Sequence, residues 1–165
     1  MCTTHAATAT QRVQDFFGGG KNRATLNNII PASTGAAIAV GKVLPHLNGK
    51  LNGTALRVPT DTGSVTEVVY LINGKHSLEE INDKMAANAK AINDSSMSGN
   101  ILDVSDYYEC SRDCVGEPWS SMYIPGNTRV TEAGDNTLVK MTSFYDNEMG
   151  YSSRMAELAQ IFAVL

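Results

Sequence analysis

A β-branched run followed closely by a capped amphipathic helix is the feature that most restricts how this chain can fold. Residues Ser64 to Asn73 are rich in valine, threonine and isoleucine, and a following glycine closes the run as a turn, which predicts a strand. Ser77 and Glu80 then have the spacing of a capping box. Apolar residues recur every three or four positions after it, at Leu78, Ile81, Met85, Ala89 and Ile92. The pattern predicts a helix of about four turns.

Weaker signals outside this segment complete the predicted architecture. Ser33 or Thr34 can cap an Ala- and Val-rich helix that ends before Pro45. Strands are predicted at 54–60, 101–104, 120–124 and 137–145, and a helix from Tyr151 onward. Strands and helices alternate irregularly, with hairpin-like turns between neighbouring strands. We therefore expect an α+β fold, with a mixed, largely antiparallel sheet and helices on one face.

The last predicted helix presents an open question. Its apolar stripe consists of Met155, Leu158, Ala159, Phe162 and Leu165. An amphipathic helix needs a surface that covers such a stripe. Either the stripe packs on the sheet of this chain, or it packs on another domain or subunit.

Length and charge exclude several classes of protein. The 165 residues correspond to one domain, 1–165. The net charge of −4 and the pI of about 5.3 provide no positive field, so nucleic acid and anionic membrane surfaces are not expected partners. The longest apolar stretch is short and contains Lys42, and the N-terminus lacks the features of a secretory signal. We expect a cytoplasmic location.

The cysteines and glycines yield no metal site and no nucleotide loop. Cys2, Cys110 and Cys114 are an odd number without a second C-x-x-C-like pair, and the three histidines are widely spaced, so free thiols are expected and no bound metal. A redox pair of Cys110 and Cys114, with Arg112 as the nearby cation, is a remaining alternative. Three glycines before Lys21 lack the spacing of a phosphate loop. Residues 12–25 are predicted to form a surface loop.

Six blocks of sequence, found in one order, carry a resemblance to a known family. They are HAATATQ at 5–11, NIIPASTGAA at 28–37, LNGKL at 47–51, RVPT at 57–60, GSVTE at 63–67 and YDNEMGY at 145–151. In this order they resemble the C-terminal, catalytic domain of glyceraldehyde-3-phosphate dehydrogenase. The resemblance covers nearly the whole chain.

This resemblance implies an NAD-dependent oxidation and phosphorylation of glyceraldehyde 3-phosphate in glycolysis. The family reaction proceeds by thiolate attack, hydride transfer to NAD and phosphorolysis of a thioester. His5 matches the general base. The residues that match the sites for substrate phosphate and inorganic phosphate are Thr8, Arg23, Thr34, Gly35 and Arg57. Asn147 matches the residue that orients the nicotinamide carboxamide, and Tyr151 matches an aromatic residue beside that ring.

Each of these residues also has an ordinary structural interpretation. Thr34 can simply cap a helix, and Arg57 can be an exposed or ion-paired strand arginine. A single histidine such as His5 is more often structural than catalytic, and Asn147 alone is typical of a turn. A hydroxyl and backbone N–H groups at a helix N-terminus also suit an anion, as does an arginine fork.

Two parts of the family's enzyme are not found in this sequence. No Gly-x-Gly-x-x-Gly fingerprint of an NAD-binding Rossmann domain is present. Cys2 precedes two threonines, as the family's nucleophile does, but His5 places it in the strand before the base, and residues three apart on a strand face opposite sides. We therefore expect no nucleophile in this chain and an inactive isolated chain. NAD and NADP are not distinguished.

Two functions are compatible with this pattern. In the first, the chain is the catalytic portion of the dehydrogenase, and its expected partner is a second copy of the chain in a homo-oligomer or a complementary N-terminal domain. In the second, it is a non-catalytic stand-alone remnant that serves as an assembly or interaction module. Retention of the site residues favours the first, and the shortened, glycine-rich loop at 12–25 favours the second.

Overall fold

The computed structural model describes residues 1–97 and 99–163. It divides into two compact units, Met1–Glu67 and Val68–Leu165. Leu165, the last member of the predicted apolar stripe, lies outside the described residues. The described strands are β1 Cys2–His5, β2 Ile30–Ser33, β3 Thr54–Arg57, β4 Ser64–Asn73, β5 Leu102–Val104, β6 Ser121–Tyr123, β7 Arg129–Ala133 and β8 Asn136–Tyr145. The described helices are α1 Ala36–Val43, α2 Leu78–Ser95 and α3 Met149–Ala163.

The described strands form a mixed, largely antiparallel sheet in the order β2-β3-β1-β4-β8-β6-β5, with β7 paired to β8. This sheet and the three helices confirm the predicted α+β fold class. Within the described residues, no helix is both long enough and apolar enough to cross a bilayer.

The first unit is built around β1. This strand pairs in parallel with β3, so that Cys2 faces Thr54 and His5 faces Arg57, and it pairs antiparallel with the first residues of β4. β2 lies at the edge of this group, antiparallel to β3. Its Pro31 has no N–H to donate, and an edge position tolerates that loss. Because β1 is flanked on both sides, its last residue has a fixed orientation.

The most deeply buried side chains of the second unit belong to the paired strands β6 and β8. Met122, Tyr123 and Val139 are almost completely buried there. The Tyr123 hydroxyl donates to Asn82 Oδ1 of α2 at 2.6 Å and also contacts the Thr128 hydroxyl. A buried phenol needs such partners, and they attach α2 to this side of the core.

Local sequence signals located most elements. The capping box forms, since Glu80 N donates to Ser77 Oγ at 3.1 Å and Ser77 N donates to Glu80 Oε2 at 3.0 Å. β4 has the predicted bounds, and α2 continues to Ser95, further than the apolar repeat indicated. β3 ends at Arg57, short of the predicted residue 60. Pro59 follows closely and cannot donate to a ladder.

The apolar stripe of α3 does not pack within the second unit. Met155, Leu158 and Phe162 are 47%, 44% and 67% exposed. The opposite side of the helix makes the contacts instead: Arg154 Nη1 donates to Asn100 O at 2.6 Å and to Ser120 Oγ at 3.1 Å. Of the two possibilities left open by the sequence, the described structure disfavours packing of the stripe on the chain's own sheet.

Candidate active site

His5 lies at the C-terminal end of β1, directly beside Arg57 at the corresponding end of β3. The imidazole is half-buried. Burial and the neighbouring Arg57 guanidinium together lower the pKa of His5 below its usual value of 6.5. A histidine in this setting is neutral at pH 7, and a neutral imidazole is the form that accepts a proton.

Ser64 contacts the same imidazole from the other flanking strand. Its Oγ lies 3.3 Å from His5 Nδ1, and the residue is 1% exposed. Ser64 begins β4 directly after Gly63, whose φ of +81° is a left-handed conformation that favours glycine. The turn at Gly63 therefore places the Ser64 hydroxyl next to the His5 ring. Ser64 was not among the site residues predicted from the sequence.

Arg57 is held from two directions. Its register fixes it beside His5, and its Nη1 donates to the carbonyl of Ala6 at 3.3 Å. Because one carbonyl occupies part of a guanidinium fork that has five donors, the geometry leaves donors for an anion. The structure thus brings His5, Arg57 and Ser64 together.

Thr34 and Gly35 lie at the other end of the same strands. They follow β2, whose last residue faces Thr54, so they are beside Gly53 rather than beside His5. Four residues of strand correspond to roughly 13 Å at about 3.3 Å per residue. Any anion bound by Thr34 is therefore separate from one bound by Arg57.

The start of α1 has an open backbone. Thr34 Oγ1 accepts a hydrogen bond from Ala36 N at 3.2 Å, but the N-cap residue of α1 is Gly35, so the prediction of a cap at Ser33 or Thr34 is wrong. Gly35 has φ −88°, so no backbone strain requires glycine there, and a Cβ at this position would meet open space. Helix N-termini with accessible N–H groups attract anions.

Thr8 is exposed just beyond β1. Its backbone N donates to Gln11 Oε1 at 2.9 Å, and its hydroxyl lies 3.4 Å from Thr10 Oγ1. Gln11 in turn donates to Thr25 Oγ1 at 3.0 Å. These bonds connect the segment after His5 to the end of the 12–25 loop. Thr8 is close to His5 in sequence, but its hydrogen bonds are made with Thr10 and Gln11.

Arg23 is engaged within the loop. It forms an exposed, two-pronged ion pair with Asp15, with Nη2–Oδ2 at 3.0 Å and Nε–Oδ1 at 3.2 Å. Asp15 also accepts a hydrogen bond from Ala24 N at 2.7 Å. A phosphate that recruits Arg23 has to compete with this carboxylate.

The second unit contains Asn147 and Tyr151, both exposed, at the N-terminus of α3. The Asn147 amide offers one acceptor and two donors, the complement of a carboxamide. Tyr151 is 67% exposed and presents an open ring face. These side chains fit the carboxamide end of a nicotinamide, the part of NAD that the resemblance assigns to them.

Asp146 organises the turn that carries Asn147. The buried carboxylate accepts N–H bonds from Gly116 at 2.8 Å, Glu148 at 2.8 Å and Met149 at 2.9 Å. Burial opposes ionisation, but these three donors outweigh it and lower the pKa of Asp146. Gly150 packs so closely on the Trp119 carbonyl that a Cβ would lie 2.8 Å from the oxygen. Asp146 and Gly150 both belong to the YDNEMGY block, and neither was predicted as a site residue.

The three cysteines are free thiols in different environments. Cys2 is half-buried in β1, Cys110 is exposed and Cys114 is fully buried. Cys114 Sγ donates to the carbonyl of Ser111 at 3.0 Å. Cys2 and His5 are three residues apart on one short strand, so their side chains leave opposite faces. This arrangement does not present a thiol to the imidazole.

Short-range sequence signals do not predict the roles of Ser64 and Asp146, because their contacts join distant parts of the chain. Ser64 is defined by a pairing of β1 with β4 across 59 positions, and Asp146 by a bond to Gly116 across 30 positions. The Gly63-Ser64 turn before a strand was the one local hint available.

Known proteins are similar to this chain over nearly its whole length. The sequence profile of the family described as glyceraldehyde 3-phosphate dehydrogenase, C-terminal domain, matches residues 1–147. Proteins named glyceraldehyde-3-phosphate dehydrogenase from Lactobacillus delbrueckii subsp. bulgaricus and Streptococcus dysgalactiae subsp. equisimilis are 43% and 41% identical, covering 100% and 99% of this chain. One from Streptococcus pyogenes is 42% identical over 99% of the chain. The chain spans 47% of the length of each of these relatives.

Proposed function

Because this chain belongs to the family of the glyceraldehyde 3-phosphate dehydrogenase C-terminal domain, we propose that its residues 1–165 are the catalytic-domain portion of a phosphorylating, NAD-dependent glyceraldehyde-3-phosphate dehydrogenase. The observation that carries the proposal is the pairing of a half-buried His5 with Arg57 at one end of adjacent strands. A base kept neutral next to a phosphate-binding cation is what oxidation of a phosphorylated aldehyde requires.

In this proposal His5 accepts the hydroxyl proton of the bound substrate. Its lowered pKa keeps the ring ready at neutral pH. When the ring is protonated it becomes a cation beside Arg57, which favours prompt release of the proton. The neutral form of His5 is therefore regenerated without a further residue.

The two phosphate groups bind at the two ends of the strands. Arg57 and Thr8, near His5, hold one phosphate, and Thr34 with the backbone of Gly35 holds the other. The separation of roughly 13 Å along the strands leaves each anion its own site and limits their repulsion. Arg23 joins a phosphate site only by leaving Asp15.

NAD, when bound, supplies the hydride acceptor. Asn147 orients the carboxamide and Tyr151 lies beside the nicotinamide ring. Most of the cofactor site belongs to a Rossmann domain outside these 165 residues. That domain decides between NAD and NADP. The nucleophilic cysteine likewise comes from outside these residues.

A complementary N-terminal domain is the proposed partner of α3. The exposed stripe of Met155, Leu158 and Phe162 supplies an apolar surface that a second domain would bury. A second apolar surface lies on β4, where Val69 and Leu71 are 51% and 64% exposed. Alternation places both on one face of the strand, and this face supports a homo-oligomer. The proposed assembly is cytoplasmic.

The alternative function is a non-catalytic assembly module. The Arg23–Asp15 pair favours it, because that arginine is occupied within the chain. The exposed surfaces of α3 and β4 serve this function equally well.

Complementation separates the two functions. The chain is co-expressed with the remaining half of the Lactobacillus delbrueckii relative, and NADH formation is followed with glyceraldehyde 3-phosphate, phosphate and NAD. We expect turnover that depends on both pieces and on phosphate, and that falls at least about a hundredfold in His5→Asn, as for loss of a general base.

His46→Asn is the matched control, because His46 is an exposed histidine in a short turn outside the site. It should leave turnover unchanged. A stable, stoichiometric complex without turnover would support the assembly module instead.

A further inference from the structure

The histidine at the end of β1 has two neighbours whose positions are fixed by different strands. β1 and β4 pair antiparallel, with Thr4 facing Val65, so the next residues along each strand, His5 and Ser64, face each other. Residues that face each other across an antiparallel pair project on the same side. The contact between His5 Nδ1 and Ser64 Oγ at 3.3 Å follows from the register.

Ser64 has little freedom to leave this contact. It is 1% exposed, and the preceding Gly63 makes the turn that starts β4. A side chain enclosed in this way keeps one rotamer. The imidazole is therefore oriented by a rigid neighbour.

A hydroxyl at this position can contact either neutral form of the ring, as an acceptor from Nδ1–H or as a donor to an unprotonated Nδ1. A neutral imidazole carries its proton on one nitrogen and its lone pair on the other. When Nδ1–H donates to Ser64 Oγ, the lone pair belongs to Nε2, and Nε2 becomes the proton acceptor.

Resting on the proposed role of His5 as general base, we propose that Ser64 is its positioning residue: the Ser64 hydroxyl accepts the Nδ1–H bond and holds the tautomer whose Nε2 takes the substrate proton. During that step Nε2 gains the proton, the ring becomes an imidazolium, and the Nδ1–H bond to Ser64 is retained. The bond strengthens as the ring becomes charged.

A serine does this differently from a carboxylate. An aspartate in contact with Nδ1 would stabilise the imidazolium and raise the pKa of the ring. The charged groups on the neighbouring strands are Arg57 of β3, which lowers the pKa of His5, and Glu67 of β4, which faces Cys2 and so belongs to the opposite side of the sheet. A neutral hydroxyl orients the ring and preserves the lowered pKa.

The test is ¹⁵N NMR of the histidine rings in the 165-residue chain, with His46 as internal reference. We expect His5 to be the Nδ1–H tautomer in the unmodified chain. Ser64→Ala should shift the ratio of tautomers by about fivefold toward Nε2–H, the equivalent of one ordinary hydrogen bond, and Ser64→Thr should restore it. Ser64→Asp should raise the pKa of His5.

Two results would overturn the proposal. One is an Nε2–H tautomer in the unmodified chain, which requires no variant to fold. The other is an unchanged tautomer ratio in a folded Ser64→Ala chain. Neither measurement depends on turnover, so failure of the dehydrogenase proposal in the complementation assay is recognised separately. In a complemented enzyme, Ser64→Ala should lower kcat with little change in the KM for the aldehyde, and Ser64→Thr should rescue kcat.

Discussion

His5 and Arg57 are paired across parallel strands, at the last residue of each. The pairing places a guanidinium beside an imidazole that is already half-buried, and both effects disfavour the charged ring. Repulsion between the two cations would arise only if the ring were protonated, so protonation of His5 is unfavourable. The neutral histidine is the chemical result.

The free energy of unfolding should therefore depend on pH through His5. Its pKa is lower in the folded chain than in the unfolded chain, so the unfolded chain binds the proton more readily. The stability that His5 contributes is present above pH 6.5 and is lost as the pH falls through the folded pKa. Urea unfolding at pH 7 and pH 5 should show that the free energy of unfolding falls less between these pH values in His5→Gln than in the unmodified chain. An equal fall in both chains would contradict a lowered pKa of His5.

Removing the charge of Arg57 should raise the pKa of His5. Arg57→Met retains much of the apolar side chain and removes the guanidinium that lowers the pKa. An NMR titration of the His5 ring should show a midpoint closer to 6.5, although burial continues to hold it below that value. Arg12→Met is the control, since Arg12 lies over Phe16 in the exposed loop. An unchanged midpoint in Arg57→Met would show that the charge of Arg57 does not lower the pKa of His5.

Loss of the Asp146 carboxylate should destabilise the second unit. Asp146→Ala leaves three backbone donors without their acceptor and is expected to cost about 3 kcal/mol of unfolding free energy. Asp94→Ala removes an exposed ion pair with Lys90 and should cost less than about 0.5 kcal/mol. Chemical denaturation measures both. Similar small losses would show that the Asp146 hydrogen bonds contribute little.

The exposed side of α3 should govern association and leave stability unchanged. Leu158→Lys alters a residue that is 44% exposed, so its effect on unfolding should stay within about 0.5 kcal/mol. The unmodified chain should bind a hydrophobic dye or self-associate, and the variant should do so less. Gln160→Lys, with the same charge change on the same helix, is the control. A dye-silent, strictly monomeric unmodified chain would exclude this surface as an interface.

The isolated chain should form no NADH from glyceraldehyde 3-phosphate, phosphate and NAD. The thiol nearest to His5 in sequence is Cys2, and strand alternation directs the two side chains to opposite faces. Activity above background that disappears in Cys2→Ser would show that Cys2 reaches the substrate after all. Cys110→Ser is the control for an exposed thiol elsewhere.

Elements with local signals were predictable, and elements that depend on partners were not. β4 and α2 were found because β-branched residues, a capping box and an apolar period act within a few positions. β7 was missed: its residues 129–133 are mostly exposed and show no clear alternation, and it becomes a strand by pairing with β8. β2 contains Pro31, and only its edge position makes that acceptable.

Ordered motifs and short-range periodicity were enough to identify the family, the fold class and four candidate residues, His5, Arg57, Thr34 and Asn147. Which of these residues meet depends on the tertiary structure. Strand register brings His5 next to Arg57 and Ser64 and places Thr34 at the far end of the same strands, while the contacts of Arg154 set the polar side of α3 against its own unit. The physical reason is that pairing between distant strands, with the burial that accompanies it, is a property of the assembled chain and leaves no mark in a local window of sequence.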